Sequence, residues 1–142
     1  MKSLLILGGV LVLGIGGWVA TRPAPDPATA SAPAEGAPIV TVSLPAALSP
    51  EAEIGKRGYE AVCISCHGEN AAGREGFGPP LVHIYYEPSH HADMAFVLAV
   101  QNGVRAHHWS FGDMPPQEGL TRADVAAITA YVRELQRANG IN

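Results

Sequence analysis

Cys63-Ile64-Ser65-Cys66-His67 is the stretch on which the reading of this chain turns. It holds both cysteines of the 142 residues and places a histidine directly behind the second. At the end of a helix, the spacings i, i+3 and i+4 project all three side chains from one face. Two thiols so placed can join the two vinyl groups of one porphyrin while the imidazole reaches its iron. Cys-x-x-Cys-His is accordingly an attachment signature for a c-type haem. With both cysteines committed, none is left for a disulfide or for a lipid-bearing cysteine.

Immediately upstream, Ser49 reads as an N-cap, Pro50 as the first helical residue, and Glu51 and Glu53 as acids in the positive first turn. The helix is expected to run to the cysteines, with Gly55, Tyr59 and Cys63 on one stripe. Before it, residues 21–48 are rich in Pro, Ala, Ser and Thr, including Pro23, Pro25, Pro27, Pro33, Pro38 and Pro45. Such a composition buries too little apolar surface to order itself, so an extended, mobile linker is expected. Fully extended at about 3.1 Å per residue, the stretch from Thr21 to Ser49 would reach at most ~90 Å.

Residues 1–20 contain an uncharged, mostly apolar run of 17 residues from Leu4 to Ala20, between Lys2 and Arg22. A membrane-spanning helix needs about 17–25 such residues and a signal-peptide core roughly 7–15, so the length favours an anchor over a cleaved signal. The nearest small-residue cleavage pattern, Ala28-Thr29-Ala30, lies well beyond the run. Either reading exports the C-terminal part, to the periplasmic side of a bacterial cytoplasmic membrane. Export agrees with the cysteine motif, since haem is joined to such motifs outside that membrane, where oxidised thiols also persist.

Residues 49–142 form the expected head domain, too short for a large core made of peptide alone. Gly68 to Pro80 reads as loop. Ser89 is expected to cap a helix through Val100, ended by Asn102-Gly103, whose apolar run from Met94 implies burial on several sides. Thr121 and Asp124 form a capping box for the last helix, with Val125, Ile128, Val132 and Leu135 as its buried stripe, Tyr131 beside it and Gly140 past its end. No strand alternation is visible. The fold class is all-α, with three main helices around a covalently bound haem.

The iron needs a second axial ligand beside His67. Candidates are Met94, Met114, His83, His90, His91, His107 and His108. Met114 stands in Gly112-Asp113-Met114-Pro115-Pro116, where a rigid proline-flanked loop can hold a thioether against iron. Met94 lies inside an apolar helix, where methionine is ordinary packing. Met114 is the favoured ligand.

These motifs, in this order, resemble a class I bacterial cytochrome c over nearly all of Ser49 to Asn142. Gly55, Tyr59 and Cys63 resemble the first helix of that fold, and Ile128 with Tyr131 resembles the aliphatic–aromatic pair of its last helix. Gly78-Pro79-Pro80-Leu81 resembles the loop whose proline carbonyl accepts a hydrogen bond from the proximal histidine. The resemblance implies a haem pocket that includes Pro79, Leu81 and Trp109, the indole donating to a propionate. Arg105 is a further candidate to pair with a propionate. It implies one haem c, bound by Cys63 and Cys66 and ligated by His67 and Met114.

His/Met ligation leaves no open coordination position, so the expected function is single-electron transfer rather than catalysis. The alternatives are a fixed cytochrome subunit of a dehydrogenase or reductase complex, or a haem sensor or enzyme with a displaceable Met114. From Glu51 onward there are 11 acidic against 7 basic residues, a net of −4. That balance argues against nucleic acid and for redox partners with a basic docking face. A thioredoxin-like dithiol would need a βαβ pattern, and a zinc site would leave the Met-Pro-Pro loop unexplained. The pairs His90-His91 and His107-His108 read as surface or propionate-bonding groups, or alternatively as a second metal site for copper.

Overall fold

The structure, a computed structural model, describes residues 33–142. The expected membrane anchor at 1–20 and the first part of the expected linker lie outside the described residues. Among the described residues no helix is long and apolar enough to cross a membrane.

Among the described residues four α-helices follow one another: α1 (Pro50–Val62), α2 (Ile64–His67), α3 (Asp93–Asn102) and α4 (Arg122–Ala138). Single 3-10 turns occupy Glu69–Ala71 and Ile84–Tyr86. The described residues contain no strand, only isolated bridges pairing Arg74 with Gly78 and Val104 with Met114. The helical class read from the sequence is the class observed.

Both long helices start where local chemistry dictates. Ser49 Oγ accepts from the Ala52 amide at 3.2 Å, and Pro50 sits where its missing N–H costs nothing. At α4 the Thr121 hydroxyl accepts from the Asp124 amide at 3.2 Å, and the Asp124 carboxylate accepts from the Thr121 amide at 2.8 Å. These two bonds complete a capping box.

α1 and α4 cross in direct backbone contact. A Cβ at Gly55 would collide with the Ala127 carbonyl and the Ile128 amide, so only glycine permits the approach. Around the crossing, Ala52, Tyr59, Ile128, Tyr131, Val132 and Leu135 are buried with Ala71 and Val82 from the loops. Tyr59 and Tyr131 meet with ring centroids 5.5 Å apart and planes tilted by 57°. Each hydroxyl finds an acceptor, Tyr59 on the Gly68 carbonyl at 2.8 Å and Tyr131 on Asn70 Oδ1 at 3.3 Å.

Two expectations are corrected. α3 begins at Asp93 after Ala92, not at Ser89, because residues 87–91 close a turn of their own, with the His90 and His91 amides donating to the Glu87 carbonyl at 3.1 and 2.8 Å. No residue of α3 is fully buried; Ala95, Phe96, Ala99 and Val100 face a cleft, while Met94 and Leu98 are exposed. Its apolar character therefore serves a cavity wall rather than a packed core.

The second correction concerns residues 33–48, read as the end of the linker. They belong to the folded unit. The Ile39 and Val40 amides both donate to the Ala72 carbonyl, at 3.1 and 3.0 Å. Val42 and Leu48 pack on the core, and the Asn139 amide brackets Ser43 with two bonds of 2.9 Å. Within Ile39-Val40-Thr41-Val42-Ser43-Leu44, the partly buried Ile39, Val40 and Val42 supply the aliphatic surface that docks, which the proline count around them conceals.

Gly55→Ala separates two opposing effects. Helix propensity alone favours the alanine by roughly 1 kcal/mol, while the backbone clash with Ala127 calls for a shift costing about 1–3 kcal/mol or more. The clash should win, and chemical denaturation of the variant should show a net loss of stability.

Candidate functional site

The cysteine motif occupies the break between α1 and α2 rather than the end of one helix. The Cys63 amide still donates to the Tyr59 carbonyl at 2.8 Å, closing α1. The turn Ile64–His67 then forms on Cys63, whose carbonyl accepts from the His67 amide at 2.9 Å. Gly68, at φ +74°, ends it, and a Cβ there would strike the Gly73 carbonyl. Cys63, Cys66 and His67 all line one cleft of about 270 Å3.

The thiol chemistry argues against a redox dithiol. A reactive Cys-x-x-Cys pair needs a lowered thiol pKa. Burial, aided by the neighbouring Cys66, pushes the Cys63 thiol the other way, to about 11.

The His67 ring is fixed through the loop that follows. Its Nδ1–H donates to the Pro79 carbonyl at 2.8 Å, so the proton sits on Nδ1 and the lone pair on Nε2. Burial holds the imidazole below its ordinary pKa, opposed by the bond to Pro79. Two glycines bring that carbonyl within reach. A Cβ at Gly78 would press on the Cys66 carbonyl at 2.8 Å, and one at Gly73 would lie 2.6 Å from the Pro80 nitrogen. Leu81, whose amide donates to the Ala71 carbonyl at 2.9 Å, completes this wall.

Met114 reaches the same cleft from the far side of the sequence. Its backbone is tied to Val104 by a reciprocal pair of hydrogen bonds, both 2.9 Å. Gly103, at φ +72°, lies against the Met114 carbonyl, where a Cβ would come to 2.5 Å. Asp113 Oδ1 accepts from the Ala106 amide at 2.8 Å, and the Gln117 amide donates to the Val100 carbonyl at 2.8 Å. The methionine loop is thus sewn to the end of α3 on both flanks.

Trp109 lies on the cleft with its indole N–H buried and without a hydrogen-bond partner among the described residues. The Tyr86 hydroxyl is close by but outside bonding geometry. His83, Tyr85 and Phe111 pack around the indole at centroid distances of 5.1, 5.7 and 5.9 Å. Arg105, expected in the pocket, is exposed and absent from its lining. The Arg105 carbonyl accepts from His107 Nδ1 at 2.8 Å. Met94, likewise outside the cleft, is half-exposed rather than packed in a core.

The sequence reading missed Arg133 and Gln136, both buried on α4. The Arg133 guanidinium donates to the Tyr86 carbonyl at 2.6 Å, to the His91 carbonyl, to Gln136 Oε1 at 2.6 Å and to Asp93 at 2.8 Å. Gln136 Nε2 donates to the Leu81 carbonyl at 2.8 Å and the Tyr86 carbonyl at 3.0 Å. Together they hang the loop from Leu81 to Asp93, and with it one wall of the cleft, on α4. A signal was available: Thr129, Arg133 and Gln136 recur at i, i+4 and i+7, a polar stripe beside the apolar one.

The donor set suits an iron porphyrin held covalently. Two thiols, an imidazole with a free Nε2 and a thioether share one largely apolar cleft, with an indole N–H that lacks an acceptor.

A family model described as Cytochrome c matches residues 52–136 of the chain. No curated protein matches it.

Arg133→Met should destabilise the protein by about 2–4 kcal/mol, since it leaves buried carbonyls without their charged donor. Asp93 contributes less to that sum, because its own carboxylate is exposed and water screens it, leaving about 0–1 kcal/mol for the pairing. Asp93→Asn should therefore move the denaturation midpoint far less.

Proposed function

The chain belongs to the cytochrome c family, and on that premise we propose that it shuttles single electrons through one haem c ligated by His67 and Met114, at the periplasmic face of a bacterial cytoplasmic membrane. The family implies covalently bound haem c and haem-based electron transfer. When bound, the haem supplies a one-electron iron couple whose potential its axial ligands tune.

The observation that carries this reading is the His67–Pro79 hydrogen bond of 2.8 Å, with Met114 lining the same cleft. The bond fixes the tautomer that leaves Nε2 as a ligand and raises its basicity. Cys63 and Cys66 would hold the porphyrin, and a chain with two cysteines has one such motif. Trp109 would donate to a propionate, an acceptor its buried N–H otherwise lacks. Phe96, Val100 and Ile128 would exclude water from the ring. With His67 and Met114 both holding the iron, no position would remain to bind a substrate, which favours a carrier over an enzyme.

The apolar run Leu4 to Ala20 supports a membrane anchor on sequence grounds alone. With residues 33–48 held on the head, residues 21–32 remain as tether, at most about 37 Å of chain at ~3.1 Å per residue. That shorter reach favours, as a second reading, a cytochrome subunit kept within a larger oxidoreductase. Crosslinking the haem-bearing head to its neighbours in native membranes separates the two. A single large partner recovered in fixed stoichiometry would support the subunit.

Met114→Ala should keep the covalent haem, abolish the near-infrared methionine–iron band and open the reduced iron to carbon monoxide. Its potential should fall by a sizeable part of the roughly 0.8 V range that axial ligands control. Unchanged carbon monoxide binding would show that Met114 is not a ligand.

A further inference from the structure

Two histidine pairs that the iron site does not use converge at the edge of the cleft. His90 and His91 come from the turn before α3, and His107 and His108 from the loop before Trp109. One ring nitrogen from each of His90, His91 and His108 lies within 4.8 Å of the other two. His90 Nε2 and His108 Nε2 are 3.4 Å apart. Two nitrogens bound tetrahedrally to one ion at about 2.0–2.1 Å would be separated by roughly 3.3–3.4 Å. One edge of the coordination figure is already formed.

His91 is prepared for the same role. Its Nδ1–H donates to the Tyr85 carbonyl, which leaves Nε2 with the lone pair. This is the outer hydrogen bond that commonly orients a ligating histidine. The His91 carbonyl is in turn gripped by the buried Arg133, so the backbone that carries the ring is fixed. Tyr85 stacks on His108 at 4.8 Å, with planes 24° apart.

The ordinary reason for gathering histidines, pairing with acids, does not apply. Among the described residues no histidine takes part in an ion pair. The nearby acids are otherwise engaged, Glu87 with Ser89, Asp93 with Arg133 and Asp113 with Ala106. Lost hydration first, then repulsion from His107, His91, His90 and His83, holds His108 below its usual pKa. Neutral imidazoles are the form that binds metal.

We infer that His90, His91 and His108 form a three-imidazole site for one late first-row metal ion, zinc or copper, with its fourth position open. Imidazole donors select this part of the series, and the separation of His90 from His108 fits tetrahedral zinc or cuprous copper. His107, whose ring stands 6.1 Å from that of His91, is outside the set.

The test uses the haem-loaded full chain, freed of adventitious metal by a chelator and titrated calorimetrically with zinc chloride and, separately, with a copper salt. One ion per chain at micromolar or tighter affinity is expected; because copper(II) outbinds zinc at almost any nitrogen site, the coordination geometry of the loaded protein, not the tighter affinity, identifies the metal. His90→Ala and His108→Ala should each weaken binding at least 100-fold, beyond the roughly 10–100-fold cost of losing an outer hydrogen-bond partner. Their metal-free melting curves should match the parent, which separates ligand loss from misfolding. No binding at micromolar metal, or binding that both variants retain, overturns the site. Either result leaves the haem spectrum and the Met114 reading untouched.

Discussion

The contact on which the rest of the structure depends is the backbone approach of α1 to α4 at Gly55, where the Ala127 carbonyl fills the place of a side chain. At ordinary side-chain separation the two helices could not bury Tyr59 and Tyr131 against each other as they do. The crossing also sets the position of everything downstream of α1. Tyr59 accepts no substitute easily, because its hydroxyl bonds the Gly68 carbonyl, one residue past His67. A single close crossing therefore fixes the depth of the core and the place of the cysteine turn.

What could be read in the sequence is what is local. Ser49 and Thr121 cap helices using atoms within three residues, so their chemistry is complete in a short window. The cysteine motif, Pro79 and Met114 are similarly legible because each imposes its own geometry: a thiol spacing, a fixed φ, a proline-flanked loop. The helix at Ser89 was misread for the converse reason. Its cap signal is genuine, but the backbone there closes a turn on the Glu87 carbonyl, and Arg133 holds the Tyr86 and His91 carbonyls on either side.

Residues 33–48 and Arg133 escaped the sequence reading because their partners are distant in the chain. Ser43 meets Asn139 across 96 positions, and Arg133 meets Tyr86 across 47. Composition averages a proline-rich segment into a linker and cannot see six consecutive residues with aliphatic anchors.

α4 emerges as the frame from which both halves of the cleft hang. One face meets α1 and so carries the cysteines. Its polar stripe, Arg133 and Gln136, holds the carbonyls of Leu81, Tyr86 and His91. Its C-cap, Asn139, binds the docked segment 33–48. Arg133 answers a difficult requirement, a buried cation without a buried anion, by spreading its charge over main-chain oxygens and the Gln136 amide. Such a network has one low-energy arrangement, because moving any carbonyl strands another. The wall it braces faces the loop that holds Met114, itself locked to Val104 by paired hydrogen bonds. A cleft braced on both sides keeps its side chains still when charge arrives, and that stillness is what electron transfer with little reorganisation requires.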